Sequence, residues 1–331
     1  MPGRAPTSLK SASDARLTAM HRPTSNQMLH FKLLGTAAGG GIPQWNCSCS
    51  LCDLCRKQPA LLPPRLQLQA SLSGDDERWI LLNASPDLRV QIEANPELQP
   101  SAASGNRNTP VGAIVLTSAD LDQVLGILLL REFQPLTIYA TMLVRKALEA
   151  NSFFRMMHRV QNQLTWIEMT PGKTFVLGDS GIACTPIPLS GELPFYAKEL
   201  NTGVEGDAAV GLLLESAGRL LAYTPTIPEI TAELKAIYRM CTVILVDGTF
   251  WSNAELTSTH PGTPMARAIG HVPLSGPEGT IELLADVKEP EKILVHINNT
   301  NPILDSRSAE HRAVTEAGWQ IGYDGWQLNW Q

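Results

Sequence analysis

The strongest constraint on this chain is a series of short apolar runs, each closed by a polar residue. Trp79–Asn83, Val111–Thr117, Val243–Val246 and Ile293–Ile297 are rich in Val, Ile and Leu and only a few residues long. Runs of that length and composition are strands covered on both faces. Helical spacing separates them over Leu121–Arg131, Arg145–Val160, Pro228–Met240 and Ser308–Ala317. Strands interleaved with single helices bury their apolar faces only in a layered α/β protein. Leu29–Leu34, Leu66–Ser73, Thr174–Leu177, Ile182–Ile187, Ala209–Glu215 and Arg219–Tyr223 add further strands, and Gln320–Tyr323 with Gln327–Trp330 read as a final pair. Asn83, Ser118–Gln123, Asp247 and His296–Asn301 follow strands directly, where layered α/β folds hold ligands.

Composition narrows the class. Of 331 residues 44% are hydrophobic and 18% charged, enough apolar matter for a sizeable core. Lys+Arg 26 against Asp+Glu 32 gives −6, which excludes a general nucleic-acid binder. No apolar run reaches the roughly 18 residues of a membrane span. Residues 1–27 are rich in Ser, Pro, Thr and Arg, carry one acid, Asp14, and lack the apolar segment of a signal peptide. They read as a disordered extension, with Met20 or Met28 as alternative starts, and residues 28–331 as one domain. A cytoplasmic location is expected.

Four of the six cysteines form the run Cys47-x-Cys49-x-x-Cys52-x-x-Cys55; Cys184 and Cys241 are isolated among apolar residues and read as buried thiols. Closely spaced thiolates suit tetrahedral zinc, and four would close its shell as in a structural site. An iron–sulfur cluster and free thiols are the competing readings, and His30 or Asp53 could replace one cysteine.

A second constellation lies at strand ends. Thr117-Ser-Ala-Asp-Leu-Asp-Gln-Val-Leu-Gly126 closes a strand and opens a helix. Proteins of the metallo-β-lactamase fold carry His-x-His-x-Asp-His at such a junction. In that register Ser118 and Asp120 stand at the first two histidines, Asp122 keeps the aspartate and Gln123 replaces the last histidine. The plain alternative is an acidic helix start. Asp247 at a strand end, His271 after Gly270, and His296 raise the odds of a site. Two histidines and a carboxylate leave coordination positions open, as in non-haem Fe(II) oxygenases. His21, His30, His158, His260 and His311 have no such context.

The chain resembles the coenzyme PQQ synthesis protein B family. The matching blocks are Leu34–Cys49, Asn83–Arg89, Leu128–Glu132, Val246–Trp251, Gly270-His271 and His296–Leu304. The resemblance implies a four-layer αββα sandwich, a structural zinc on Cys47, Cys49, Cys52 and Cys55, and a role in making pyrroloquinoline quinone (PQQ). It implies an iron- and oxygen-dependent hydroxylase of a tyrosine-containing PQQ precursor, with a carrier of PQQ or its precursor as the alternative and a two-metal hydrolase as the third reading. Carried over by position, Asp122, His271 and His296 are the catalytic metal ligands and Asp247 the bridging carboxylate. The family's Asp-x-Gln-x-Asp-His is Ser118-x-Asp120-x-Asp122-Gln123 here. An amide is a poorer Fe(II) ligand than imidazole, so Asp120 is the candidate to compensate. Cys55 is a fourth cysteine where many relatives have three. Gly39–Gly41 with Ile42–Trp45 could shape one wall of the site, and Asn298, Asn299 and Asn301 could bind a substrate carboxylate or cap turns. The expected partner is PQQ or its precursor, with a homodimer left open.

Overall fold

The structure is a computed structural model that describes residues 28–198 and 206–331; the expected extension at 1–27 lies outside the described residues. The first half of the chain supplies β1 (Leu29–Gly35), β2 (Gln69–Ser73), β3 (Trp79–Leu82), β4 (Val111–Val115), β5 (Leu136–Ala140) and β6 (Leu164–Glu168). The second supplies β7 (Phe175–Val176), β8 (Ala183–Leu189), β9 (Ala209–Ser216), β10 (Arg219–Thr224), β11 (Val243–Asp247), β12 (Glu291–Val295), β13 (Trp319–Ile321) and β14 (Gln327–Trp330). Two seven-stranded sheets result, ordered β14-β1-β2-β3-β4-β5-β6 and β13-β12-β11-β10-β9-β8-β7.

Their pairing matches. From β14 to β6 three antiparallel pairs are followed by three parallel ones. The order from β7 to β13 is the same. Phe31, Leu72 and Leu82 of one sheet meet Leu214, Tyr223 and Leu245 of the other in a core between them. Each outer face carries helices over its own core, which completes the αββα sandwich.

Several elements differ from expectation for local reasons. The helix at Leu121 is α-helical only to Val124 and continues to Leu130 as 3₁₀ turns. Gly126 lies there against the Ser85 carbonyl, which a Cβ would meet at 2.3 Å. The helix expected over Arg145–Val160 is Met142–Glu149, capped by Thr141, followed by a separate 3₁₀ segment that Asn151 caps. Thr231 likewise delays the helix expected from Pro228 to Ala232. The two terminal strands do not pair with each other: β13 joins β12 in parallel, and β14 crosses to β1.

Candidate metal centre

β11 and β12 run parallel and end side by side at one rim of the sandwich. Asp247 closes β11. His296 follows β12 with φ of +57°, a left-handed backbone that costs a β-carbon residue energy and turns the chain sharply. His271 follows the 3₁₀ turn Ala266–Ile269, whose end is set by Gly270 in the left-handed region. Donor atoms of Asp247, His271 and His296 all lie within 4.8 Å of one another, and all three residues are buried.

A network fixes the rings. Asp247 Oδ2 accepts from the Ile227 N–H at 3.0 Å and meets His271 Nδ1 at 2.7 Å. Asp247 Oδ1 accepts from the backbone N–H of Thr249 at 3.0 Å and from its hydroxyl at 2.6 Å. That hydroxyl proton being used, Thr249 Oγ1 accepts from His296 Nδ1 at 2.9 Å. His296 Nε2 lies 3.0 Å from Asp122 Oδ2. Two acceptors at that distance require a proton or a cation between them. Burial opposes a charge on His296, but Asp122 and Asp247 outweigh it and raise its pKa. Burial likewise opposes the charges on Asp122 and Asp247, yet the imidazoles hold both below the ordinary carboxylate value. Phe250 packs its ring edge-on to His271, centroids 5.7 Å apart.

The opposite rim is built differently. Asp120 faces the cleft, its Oδ2 accepting from Ser118 Oγ at 2.6 Å, and burial with the neighbouring Asp122 charge raises its pKa. Gln123 is buried, 1% exposed, and its amide is engaged elsewhere. Its Oε1 accepts from Thr117 Oγ1 at 2.6 Å and its Nε2 donates to Thr226 Oγ1 at 3.4 Å. Gln123 therefore serves a hydroxyl–amide network that includes Asn83. Between the rims lies a cleft of about 670 Å³ lined by Gly39, Gly40, Asp120, Leu121, Asp122, Leu125, Phe250, Ile269, His271, His296 and Asn298. Of the wall expected from Gly39–Gly41 and Ile42–Trp45, Gly39 and Gly40 line the cleft and the rest do not.

Below this cleft the Sγ atoms of Cys47, Cys49 and Cys52 lie within 4.8 Å of one another. Cys55 stands apart from that group. The cysteine run is helical over Ser50–Lys57, and three residues of helix rise about 4.5 Å, which carries the buried Cys55 thiol one turn onward into the core. The fourth side chain at the thiols is instead Asn299, whose Nδ2 lies 3.2 Å from Cys52 Sγ and 3.3 Å from Cys47 Sγ. Its nearness to the cysteines has no signal in the sequence, since they are about 250 positions away. Burial pushes the Cys49 thiol up to about 11. Burial also opposes the Cys47 thiolate, but hydrogen bonds from Cys49, Cys52 and Asn299 bring its pKa below the usual thiol value. Asn301 caps turns as expected, donating to the Gly248 carbonyl at 2.9 Å and accepting from Ile303 N–H at 3.1 Å.

This architecture can be placed among known proteins. The beta-lactamase superfamily domain matches residues 78–297. Coenzyme PQQ synthesis protein B of Methylorubrum extorquens strain PA1 is 37% identical over 91% of this chain and 100% of its own length. The Pseudomonas paraeruginosa protein of that name is 40% identical over 91% of this chain and 99% of its own. The chain belongs to the coenzyme PQQ synthesis protein B family. A solved structure of zinc-bound PqqB from Methylobacterium extorquens superposes with a TM-score of 0.83 at 38% identity, covering 90% of this chain and 99% of that one. A diphosphatase of the PhnP family shares the fold, with a TM-score of 0.62 at 17% identity. Among the described residues no helix is long and apolar enough to cross a membrane.

Proposed function

We propose that this member of the PQQ synthesis family is an oxygen-dependent hydroxylase of a tyrosine-containing PQQ precursor. The observation that carries the reading is the group of two imidazoles and a carboxylate at the wall of an open cleft. The residues fit a divalent ion: the acceptor–acceptor approach of His296 Nε2 and Asp122 Oδ2 is satisfied by a cation. His271, His296 and Asp122 would hold Fe(II), with Asp247 behind them; bound iron would supply oxygen activation. Asp247 and Thr249 orient the imidazoles, the task of hydrogen-bond partners behind metal ligands. Leu121, Leu125, Phe250 and Ile269 give a phenol ring an apolar seat, and Asp120 and Asn298 offer polar contacts to the rest of the substrate. One oxygen atom of O₂ enters a ring C–H bond and the other leaves as water, so the two further electrons come from an added reductant.

The thiols of Cys47, Cys49 and Cys52 would hold zinc, with Asn299 or a solvent molecule in fourth place. Zn–S bonds of about 2.3 Å at tetrahedral angles place sulfurs about 3.8 Å apart, within the observed spread. Such a reduced thiol site suits the cytoplasm. The test is anaerobic loading with Fe(II), then O₂, ascorbate and a Glu–Tyr peptide. A product with one added oxygen is expected. Bound iron with no oxygenated product, together with tight PQQ binding, would make the chain a carrier instead.

A further inference from the structure

The two clusters share one loop. His296 and Asn299 are three residues apart, and the segment between them is clamped throughout. Ile297 exchanges backbone hydrogen bonds with the glycine-rich block, donating to Thr36 O and accepting from Ala38 N–H, each at 2.9 Å. The Asn298 N–H donates to Thr249 O at 3.1 Å, and Asn301 ties the same turn to Gly248. Asn299 and His296 are therefore the two ends of one short segment hydrogen-bonded along its length. The other side of the thiol cluster is anchored alike. Cys47 continues the block whose Gly39 lies against Asp122, a Cβ at that glycine meeting the Asp122 side chain at 3.5 Å. The thiol site thus clamps two loops that present His296 and Asp122, the two groups facing each other across 3.0 Å.

We infer that Asn299 is a positioning residue that couples occupancy of the thiol site to the affinity of the Asp/His site for its ion. With the thiols filled, Asn299 is held against them and the loop keeps His296 opposite Asp122. With the thiols empty, Asn299 keeps only its hydrogen bonds to them, and the gap between His296 and Asp122 is held less tightly. The inference rests on the two-site reading above and is independent of which reaction the cleft performs.

Binding of Mn²⁺, a hard ion that thiolates take poorly, reads the Asp/His site without turnover. The full chain is titrated with Mn²⁺ with and without one prior equivalent of zinc, and free thiols are counted to locate the zinc. Zinc on the thiols should tighten Mn²⁺ binding about tenfold. Asn299→Ala should keep zinc on its thiols and lose most of that gain, and Asn299→Asp, which keeps the side-chain length and offers zinc an oxygen, should recover it. Equal Mn²⁺ affinity with and without zinc in the wild-type chain overturns the coupling whether or not the variants fold. Thiols that stay free at one equivalent of zinc overturn the two-site reading and the coupling with it.

Discussion

The two sheets bring the same strand pattern to the rim but different chemistry. Beyond β11 and β12 stand Asp247, Thr249, His271 and His296, a chain of charge-capable groups that orient one another. Beyond β3 and β4 stand Asn83, Thr117, Ser118 and Gln123, amides and hydroxyls that largely satisfy one another, with Asp120 and Asp122 reaching past them to the cleft. A matching framework does not impose matching function. The β11/β12 rim holds the imidazoles, while the β3/β4 rim contributes carboxylates and shape. The site is consequently lopsided, and the proposed reading gives it one catalytic ion.

The largest effect expected from breaking this contrast is at His296. His296→Ala should lower affinity for the catalytic ion at least about 100-fold and abolish oxygenation, measured by metal content and product formation. Glu255 comes next, a buried carboxylate beside the same rim, accepting from Thr300 Oγ1 at 2.6 Å. Burial raises its pKa from 4.5 to about 7. The folded chain then binds a proton that the unfolded chain lacks between those values, so stability falls as pH rises through that window, by about 3 kcal/mol in all. Glu255→Gln should flatten that slope in denaturant titrations from pH 4 to 8; an unchanged slope would place the titration elsewhere. Thr249→Val removes the hydroxyl between Asp247 and His296 and should cost about 10- to 100-fold in metal affinity. Gln123→Ala should cost stability alone, about 1–2 kcal/mol from unpaired hydroxyls, with metal content unchanged. A drop in metal content there would make the amide–hydroxyl network of the β3/β4 rim part of ion binding and blur the contrast.

How far the sequence was readable follows from the same contrast. Covered strands such as β11 and β12 are continuous apolar runs, and the polar residues Asp247 and His296 that follow them stand out in the sequence. Strands β5 and β6 carry no clear signal: Leu136–Ala140 is broken by Thr137, and Leu164–Glu168 lies at a sheet edge with its side chains largely exposed, so neither run stands out from its surroundings. Spacing groups Cys47, Cys49 and Cys52, which do come together, but also includes Cys55, because a helix begins inside the motif and carries its last thiol about one turn along the axis. Asn299 and the hydrogen bonds that occupy Gln123 are long-range facts of packing. One residue's type cannot report which distant partner will meet it.

The return of β14 to β1 has a consequence for how the protein is made. Leu29–Lys32 pair on one side with Gln327–Trp330, which are made roughly 300 residues later. Until that later strand emerges, the first strand waits with one edge bare, open to pairing with another nascent chain. Removing Gln327–Trp330 would leave that edge bare for good.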